Sequence, residues 1–555
     1  MKDPFAFSLL RASAGWKGVP SLGLAVRKMG RAVLVSGLCR TLAILCLILA
    51  ATAIVSPAQN DPDSVKFSNL FNFDATDGGA PAGGLVQGTD GNFYGTTFSG
   101  GTKTTCSGSG CGTFFRITPG GTLTTLYSFC SQTDCADGGF PSGALLLGTD
   151  ANFYGITEWG GSAGGSTGFG GTVFKITSSG TLTTLYNWCS QPNCADGSYI
   201  FLTEPNTLVE ATNGNFYGTN DGGGNASGAG TFFELTPSGS LTTLYTFCSQ
   251  SDCADGATPF GLIQATDGNF YGTTASGGAD GGGTVFKITP SGALTTLHNF
   301  CSQGGSACTD GGSPFAPLIQ GTNGDFYGTT TYRGNGAACL PYQGCGPVFE
   351  ITPSGTLTTL YNFCSETNCT DGSDPAFALV QATDGNFYGS TGGGRGSSNC
   401  SSYASPDCWL VYKLSPRGAL TTLHSFDLTD GAGPNGLVQA TNGTFYGTAM
   451  NGGPSSSSSS CFGGCGTVFS VSGRLRPFVE TVPIRGNVGE PVTILGNHLT
   501  DATHVRFNRT EAEFKVMSES EIQTTVPAGA TTGFVTVEKS GLIILNSNVQ
   551  FQVRP

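Results

Sequence analysis

The sequence predicts an all-β protein: a seven-bladed β-propeller closed by an N-terminal strand, followed by an immunoglobulin-like β-sandwich. Three observations carry this expectation. A unit of about 59 residues recurs seven times, each copy contains four short strand-like segments, and the chain changes texture near residue 475.

The repeat is most visible in the string Asn-Phe-Tyr-Gly and its variants, with Tyr at 94, 154, 217, 271, 327, 388 and 446. Spacings of 60, 63, 54, 56, 61 and 58 residues point to a repeat architecture. Each unit runs through GLVQAT-like, NFYGTT-like, GTVFKIT-like and LTTLYNF-like segments. Asp-Gly or Asn-Gly (Asp90-Gly91, Asn213-Gly214, Asp267-Gly268) joins the first two, which predicts a type I′ hairpin. A Thr-Pro-Ser-Gly-like turn joins the last two, as at 236–239. Bulky neighbours such as Phe93 with Tyr94 and Val173 with Phe174 put apolar groups on both strand faces, as a sheet covered on both sides requires. A β-solenoid would also repeat, but coils of this length with hairpin turns are atypical of one.

The ends of the array predict how it closes. The seventh GTVF segment, Gly466 to Phe469, has no LTTLYNF segment after it, while an unpartnered copy, Val65 to Phe73, precedes the first unit. Pairing the two completes the seventh blade and removes free sheet edges.

Residues 1–58 read as a signal peptide or N-terminal membrane anchor. Seven basic residues and one acid precede an apolar run, Thr41 to Val55, which is short for a membrane span, and small residues at Ser56 and Ala58 suit cleavage after Ala58. The remaining chain holds 17 basic and 36 acidic residues, a net charge of −19. Such a surface repels phosphate backbones, so nucleic acid is excluded as a partner, and a membrane is one only if the N-terminal segment stays uncleaved. Of the 20 cysteines, 18 follow this segment in nine close pairs: Cys106/Cys111, Cys130/Cys135, Cys189/Cys194, Cys248/Cys253, Cys301/Cys308, Cys339/Cys345, Cys364/Cys369, Cys400/Cys408 and Cys461/Cys465. Evenness and proximity predict disulfides, and with them a secreted or cell-surface location. Zinc fits poorly, because no His accompanies any pair. A six-residue ring gains only about 2 kcal/mol, so each bridge staples a loop without holding the fold together.

The propeller is expected over 59–474. Its units resemble the GloVer-type tandem repeat of exported bacterial proteins, through Leu-Val-Gln-x-Thr-Asp-Gly-Asn-Phe-Tyr-Gly-Thr-Thr at 85–97 and Gly-Thr-Val-Phe-Lys-Ile-Thr at 283–289. The resemblance implies a secreted or surface-attached propeller with no enzymatic activity tied to the motif. From 475 to 555 Gly thins out, cysteine disappears, and short strands are expected at Pro491 to Leu495, His504 to Asn508, Glu513 to Met517, Glu521 to Val526 and Gly533 to Val537. This region is similar to the IPT/TIG immunoglobulin-like family through VTILGNHL from Val492, ATHVRFN from Ala502 and VPAGATTG from Val526. In exported proteins that resemblance implies a spacer or interaction module.

Catalytic signals are sparse, and no catalytic residue is assigned. His298 and His424 replace the Tyr of LTTLY and are expected to pack against a neighbouring blade. An Asp-Gly follows each fourth segment (Asp77, Asp137, Asp196, Asp255, Asp310, Asp371, Asp430), and sevenfold repetition assigns it to turn capping, since chemistry needs one asymmetric site. The long connections, with all nine cysteine pairs, are expected on one face of the ring as the ligand surface. On that face Trp159 and Tyr332 are the candidate ligand-binding aromatics, and Asp280 the candidate metal ligand, for calcium; no other cofactor is expected. The functional expectation is an exported, non-catalytic protein binding glycans or extracellular proteins. The alternatives are a carbohydrate-active hydrolase or lyase using carboxylates there, and a purely structural surface scaffold.

Overall fold

The structure is a computed structural model that describes residues 65–554, save 104–105, 107–109, 162–168, 199–207, 226–227, 304–307, 335–344, 394–408, 455–460 and 462. The expected signal peptide or anchor lies outside these residues. No helix among the described residues is long and apolar enough to cross a membrane.

The chain is all-β, and its repeats fold into separate four-stranded antiparallel sheets that follow one another in sequence order. Among the described residues there are seven such sheets, each lined up first to fourth segment; in the first sheet two short strands, Gly79–Pro81 and Val86–Gln87, share the leading position. The seventh is completed from the other end of the array. Lys66–Asn72 pairs antiparallel with Thr467–Ser472, outside Phe445–Asn451 and Ala432–Gln439.

Sequential residues on a strand point to opposite faces, so each Phe-Tyr pair serves two interfaces at once. Tyr94 lies 4.2 Å from Phe153 of the next sheet, Tyr154 4.3 Å from Phe216, and Tyr217 4.5 Å from Phe270, centroid to centroid. The series continues with Tyr271 to Phe326 at 4.1 Å, Tyr327 to Phe387 at 4.3 Å and Tyr388 to Phe445 at 4.2 Å. It ends where it began: Tyr446 of the seventh sheet lies 4.1 Å from Phe93 of the first. A polar seam follows the same path. The Gln87 side-chain oxygen accepts the Thr441 amide at 3.0 Å, repeating the contact of Gln320 with Thr266, Gln381 with Thr322 and Gln439 with Thr383.

The Asp-Gly turns differ from the type I′ expectation. Val86–Gln87 and Phe93–Ser99 are joined by five residues, with the Gly91 amide bonded to the Gly88 carbonyl. Only Gly91 has positive φ, at 76°, whereas a type I′ turn needs positive φ at both central residues. Asp90 supplies the reason: its carboxylate accepts the Asn92 amide at 3.1 Å and the Tyr94 hydroxyl at 2.9 Å, which holds a wider turn and satisfies the buried tyrosine.

The second recurring Asp shapes the opposite end of the sheets. Asp255 is fully buried and accepts the Tyr245 hydroxyl at 2.8 Å, the Ser249 amide at 3.0 Å and the Gln250 amide at 3.2 Å, folding the CSQSDC loop around one carboxylate. Asp137, Asp196 and Asp371 repeat this arrangement. His298 and His424 take the tyrosine's place, with Nε2 3.1 Å from Asp310 and 2.7 Å from Asp430. Packing on the next sheet, expected for both, is present at His424, which stacks on Phe67 at 3.5 Å; His298 meets Phe300, just past the end of its own strand.

The C-terminal residues form a two-sheet sandwich. One sheet orders Glu480–Val482, Pro491–Leu495, Glu521–Thr525 and Phe514–Val516; the other orders Arg485–Asn487, Ile543–Arg554, Gly533–Lys539, Ala502–Phe507 and Thr510–Ala512. Val492, Ile494, Val505, Phe507, Ile522, Val535, Val537 and Phe551 fill the space between them. The sandwich rests on the Asp-Gly end of the repeat sheets. Arg485, 8% exposed, donates to the carbonyls of Ala265 at 2.9 Å and Gln264 at 2.8 Å, and the Ser520 hydroxyl donates to the Thr89 carbonyl at 2.7 Å. The Phe478 amide bonds the Thr441 carbonyl at 2.9 Å. Burial, with the nearby Arg554 charge, brings the Arg485 guanidinium down to about 10.

Two outcomes follow from these contacts. Burial alone would raise the Asp255 pKa, yet the hydrogen bonds from Tyr245, Ser249 and Gln250 outweigh it and hold the group below 3.8. A depressed carboxylate stabilises the fold above its unfolded pKa and loses that contribution as pH falls through the folded value. Asp255→Asn therefore lowers the calorimetric Tm at pH 7, with a loss of about 1–3 kcal/mol, and the gap from the parent narrows below pH ~3.8; a gap independent of pH contradicts this. Replacing Arg485 with Ala removes the bonds to the Ala265 and Gln264 carbonyls, the first of which keeps only the Gly268 amide, and unlocks the sandwich from the repeat sheets. Differential scanning calorimetry then resolves a separate, earlier sandwich transition, whereas an unchanged trace means that Arg485 does not couple the two.

Candidate functional site

Because the sandwich occupies the Asp-Gly end of the sheets, the candidate face is the opposite end, where the long connections emerge. Cystine bridges close these connections: Cys106–Cys111, Cys130–Cys135, Cys189–Cys194, Cys248–Cys253, Cys301–Cys308, Cys364–Cys369 and Cys461–Cys465. Cys345 is also disulfide-bonded, while Cys339, Cys400 and Cys408 lie outside the described residues.

The second strand of each sheet, with the residues just after it, runs to this end. Counting from the Phe of Asn-Phe-Tyr-Gly, the sixth residue is Phe98, Glu158, Asp221, Ala275, Thr331, Gly392 and Met450 in turn, and the seventh is Ser99, Trp159, Gly222, Ser276, Tyr332, Gly393 and Asn451. Trp159 and Tyr332 thus occupy one register, in the second and fifth sheets. Trp159, half-buried, faces the first sheet: it pairs with Gly139, lies 6.1 Å from Phe140, and packs against the Cys106–Cys111 cluster. Phe140 in turn stacks on Phe98 at 4.8 Å. Tyr332 is 38% exposed and stands edge-on to Phe315 at 6.1 Å, which meets Phe260 at 5.2 Å. The two aromatics therefore mark separate places on the same end, each backed by further rings.

Asp280 is exposed on the connection before Thr284–Ile288. Among the described residues the one group of three metal-ligating side chains within mutual reach is Cys106, Cys111 and Cys130, and the Cys106–Cys111 bridge consumes two of its sulfurs. Among the described residues Asp280 belongs to no such group of three. The sandwich histidines stand apart: His504 pairs with exposed Glu511 at 2.7 Å, and His498 precedes a short turn with φ 53°.

Sequence reasoning passed over the two acids in the sixth register. Glu158 is 8% exposed and Asp221 2% exposed, in adjacent sheets. Among the described residues neither buried Glu158 carboxyl oxygen has a hydrogen-bond partner within normal bonding geometry. Burial, tempered by the nearby Ser142 hydroxyl and reinforced by the Asp221 charge, pushes Glu158 up to about 8. The signal was present in the sequence: two of seven equivalent positions carry an acid, and those two copies are consecutive.

The Gloeobacter/Verrucomicrobia repeat family matches residues 59–254 and 194–404, and the IPT/TIG domain family matches 478–553. No curated protein matches the chain. Among solved structures, a catalytically inactive virginiamycin B lyase from Staphylococcus aureus with quinupristin is similar over 74% of this chain and 99% of its own, at 14% identity and a TM-score of 0.44. The PQQ-bound aldose sugar dehydrogenase from Streptomyces coelicolor aligns over 74% and 99% of the two chains at 11% identity and a TM-score of 0.36. Likenesses this distant carry no argument about what this chain does. The repeat family covers more than half of the sequence, so the chain belongs to the Gloeobacter/Verrucomicrobia repeat family and ends in an IPT/TIG domain.

Proposed function

We propose that this is an exported, non-catalytic binding protein: a seven-bladed β-propeller over 59–474, released by cleavage after Ala58, that recognises glycans or extracellular proteins through its disulfide-stapled end. The IPT/TIG sandwich over 475–555 acts as the mount on the opposite end. The observation that carries this reading is the division of labour between the two ends. The sandwich contacts Thr89, Gln264, Ala265 and Thr441 at the short turns. The other end keeps its long stapled connections and presents Trp159 and Tyr332 in one register, with Tyr332 38% exposed. Amphipathic rings on a rigid scaffold suit sugar faces and protein hot spots alike. The many disulfides support an oxidising, extracytoplasmic destination.

A second reading, a carbohydrate-active hydrolase or lyase, draws support from one observation. Glu158, raised to about 8, would stay protonated beside Asp221 at neutral pH, as a general acid beside a carboxylate requires.

A glycan array and a pull-down from extracellular matrix protein, with product analysis on every bound sugar, test both readings. Binding without turnover, weakened at least ~10-fold by Trp159→Ala or Tyr332→Ala at unchanged Tm, is the expected result; a 10-fold loss corresponds to about 1.4 kcal/mol. Released product that disappears in Glu158→Gln establishes the enzyme. Neither binding nor product leaves a structural scaffold.

A further inference from the structure

We propose that the IPT/TIG sandwich is a lipid contact, which inserts the hairpin tip at 540–545 into a zwitterionic membrane surface. This rests on the reading of the sandwich as the mount and gives that mount its partner.

Exposed apolar surface is concentrated in the sandwich. Among the described residues nine large hydrophobic side chains are exposed, and seven of them belong to it. Three are consecutive: Leu542 is 85% exposed, Ile543 53% and Ile544 58%, at the tip of the hairpin that joins Gly533–Lys539 to Ile543–Arg554. No charged residue occurs from 540 to 553. Consecutive strand residues face opposite ways, so Ile543 shares a face with buried Leu545 and Ile544 takes the other. Ile543 is exposed all the same, because the strand pair runs past the end of the sandwich core. A side chain placed on Gly541 would meet nothing within 4 Å. The base of the tip is tied down. The Ser540 amide donates to the Asp501 carbonyl at 3.1 Å, the Lys539 ammonium lies 3.3 Å from the Asp501 carboxylate, and the Thr503 hydroxyl donates to the Glu538 carbonyl at 3.1 Å.

Shape and charge select the occupant. A protein partner covers one face of a strand, whereas both faces of this tip are apolar and exposed; immersion among acyl chains covers both at once. The sandwich is also the near-neutral part of the molecule: 475–555 carries seven basic and eight acidic residues, against ten and 28 in 59–474. Two copies meeting at this tip would bring two strongly acidic propellers together, which like charge opposes. An anionic headgroup layer is opposed for the same reason, and a zwitterionic one is not. The start of the described chain lies on the same side. Lys66 pairs with Ser472, and Asn72 with Thr467 beside the Cys461–Cys465 staple, so the chain enters at the short-turn end, where the sandwich rests. A membrane on that side leaves the stapled end free, and the contact needs no N-terminal anchor.

Flotation of the mature chain from Gln59 with vesicles of phosphatidylcholine and phosphatidylethanolamine tests the proposal. The parent should float with the vesicles. Leu542→Asp combined with Ile543→Asp should lower the partition coefficient at least ~10-fold, at unchanged Tm and glycan-array profile. Val488→Asp should bind as the parent does, since Val488, 50% exposed, follows the strand paired with the far end of Ile543–Arg554. Leu542→Trp should shift its emission to the blue on vesicle addition and be quenched by brominated acyl chains, which places the tip in hydrocarbon even if the double variant folds poorly. Absence of flotation, undiminished flotation of the double variant, or an unshifted Leu542→Trp emission would each overturn the proposal. A dimer in light scattering that the double variant dissolves, without flotation, would overturn it in favour of a second copy. Flotation with nothing bound at the stapled end supports the lipid contact and removes only the binding role of that end; glycan binding without flotation does the reverse.

Discussion

One contact organises the repeat sheets: the tyrosine of one sheet against the phenylalanine that begins the same motif in the next. Consecutive residues on a strand face opposite ways, so a single Phe-Tyr dipeptide glues its sheet to both neighbours. Each of these side chains is at most 4% exposed, and burial of a side chain this size is worth about 1.5–3 kcal/mol before any ring–ring term. The ladder is cyclic. Tyr446 meets Phe93 at 4.1 Å, within the 4.1–4.5 Å range of the other contacts, so the last sheet meets the first as any sheet meets the next. The ladder also dictates the turn chemistry, because a buried tyrosine hydroxyl needs a partner. Asp90, Asp150, Asp267 and Asp384 supply it from the turn, while Glu234 and Glu350 supply it from the third strand where the turn holds Asn.

Much of this was legible in the sequence because it is repeated. Seven copies of one pattern locate four segments per unit, and the missing last segment together with the surplus first one identifies the partner of Lys66–Asn72. What escaped was what a repeat average hides. Type I′ geometry was expected from Asp-Gly alone, without the Asp side chain that holds a five-residue connection open. The sandwich strands Glu480–Val482, Arg485–Asn487, Thr510–Ala512 and Ile543–Arg554 were not anticipated; three are three residues long, and the last begins in an apolar run, Ile543-Ile544-Leu545, without strict alternation. Its pairing with Gly533–Lys539 and Arg485–Asn487 is a tertiary fact that no local pattern encodes.

The candidate face shows the same division. Trp159 and Tyr332 stand out from the sequence as unrepeated aromatics, yet their shared register appears only when the copies are aligned on the strand. Glu158 and Asp221 were overlooked because each is unremarkable alone; only their burial in adjacent sheets sets them apart. The seven capping aspartates show the converse. Repetition made them conspicuous, and repetition is also what assigns them to architecture, since each folds its own loop. Function is sought where the repeat is broken, and stability where it is kept.

The central claim is that the array is closed, with Lys66–Asn72 an integral strand of the last sheet. Native-state hydrogen exchange of the amides in 66–72 tests this directly. Closure predicts that the amides bonded to Thr467–Ser472 exchange as slowly as those of Phe93–Ser99 in the first sheet. Exchange of 66–72 within seconds, while Phe93–Ser99 stays protected, would contradict it.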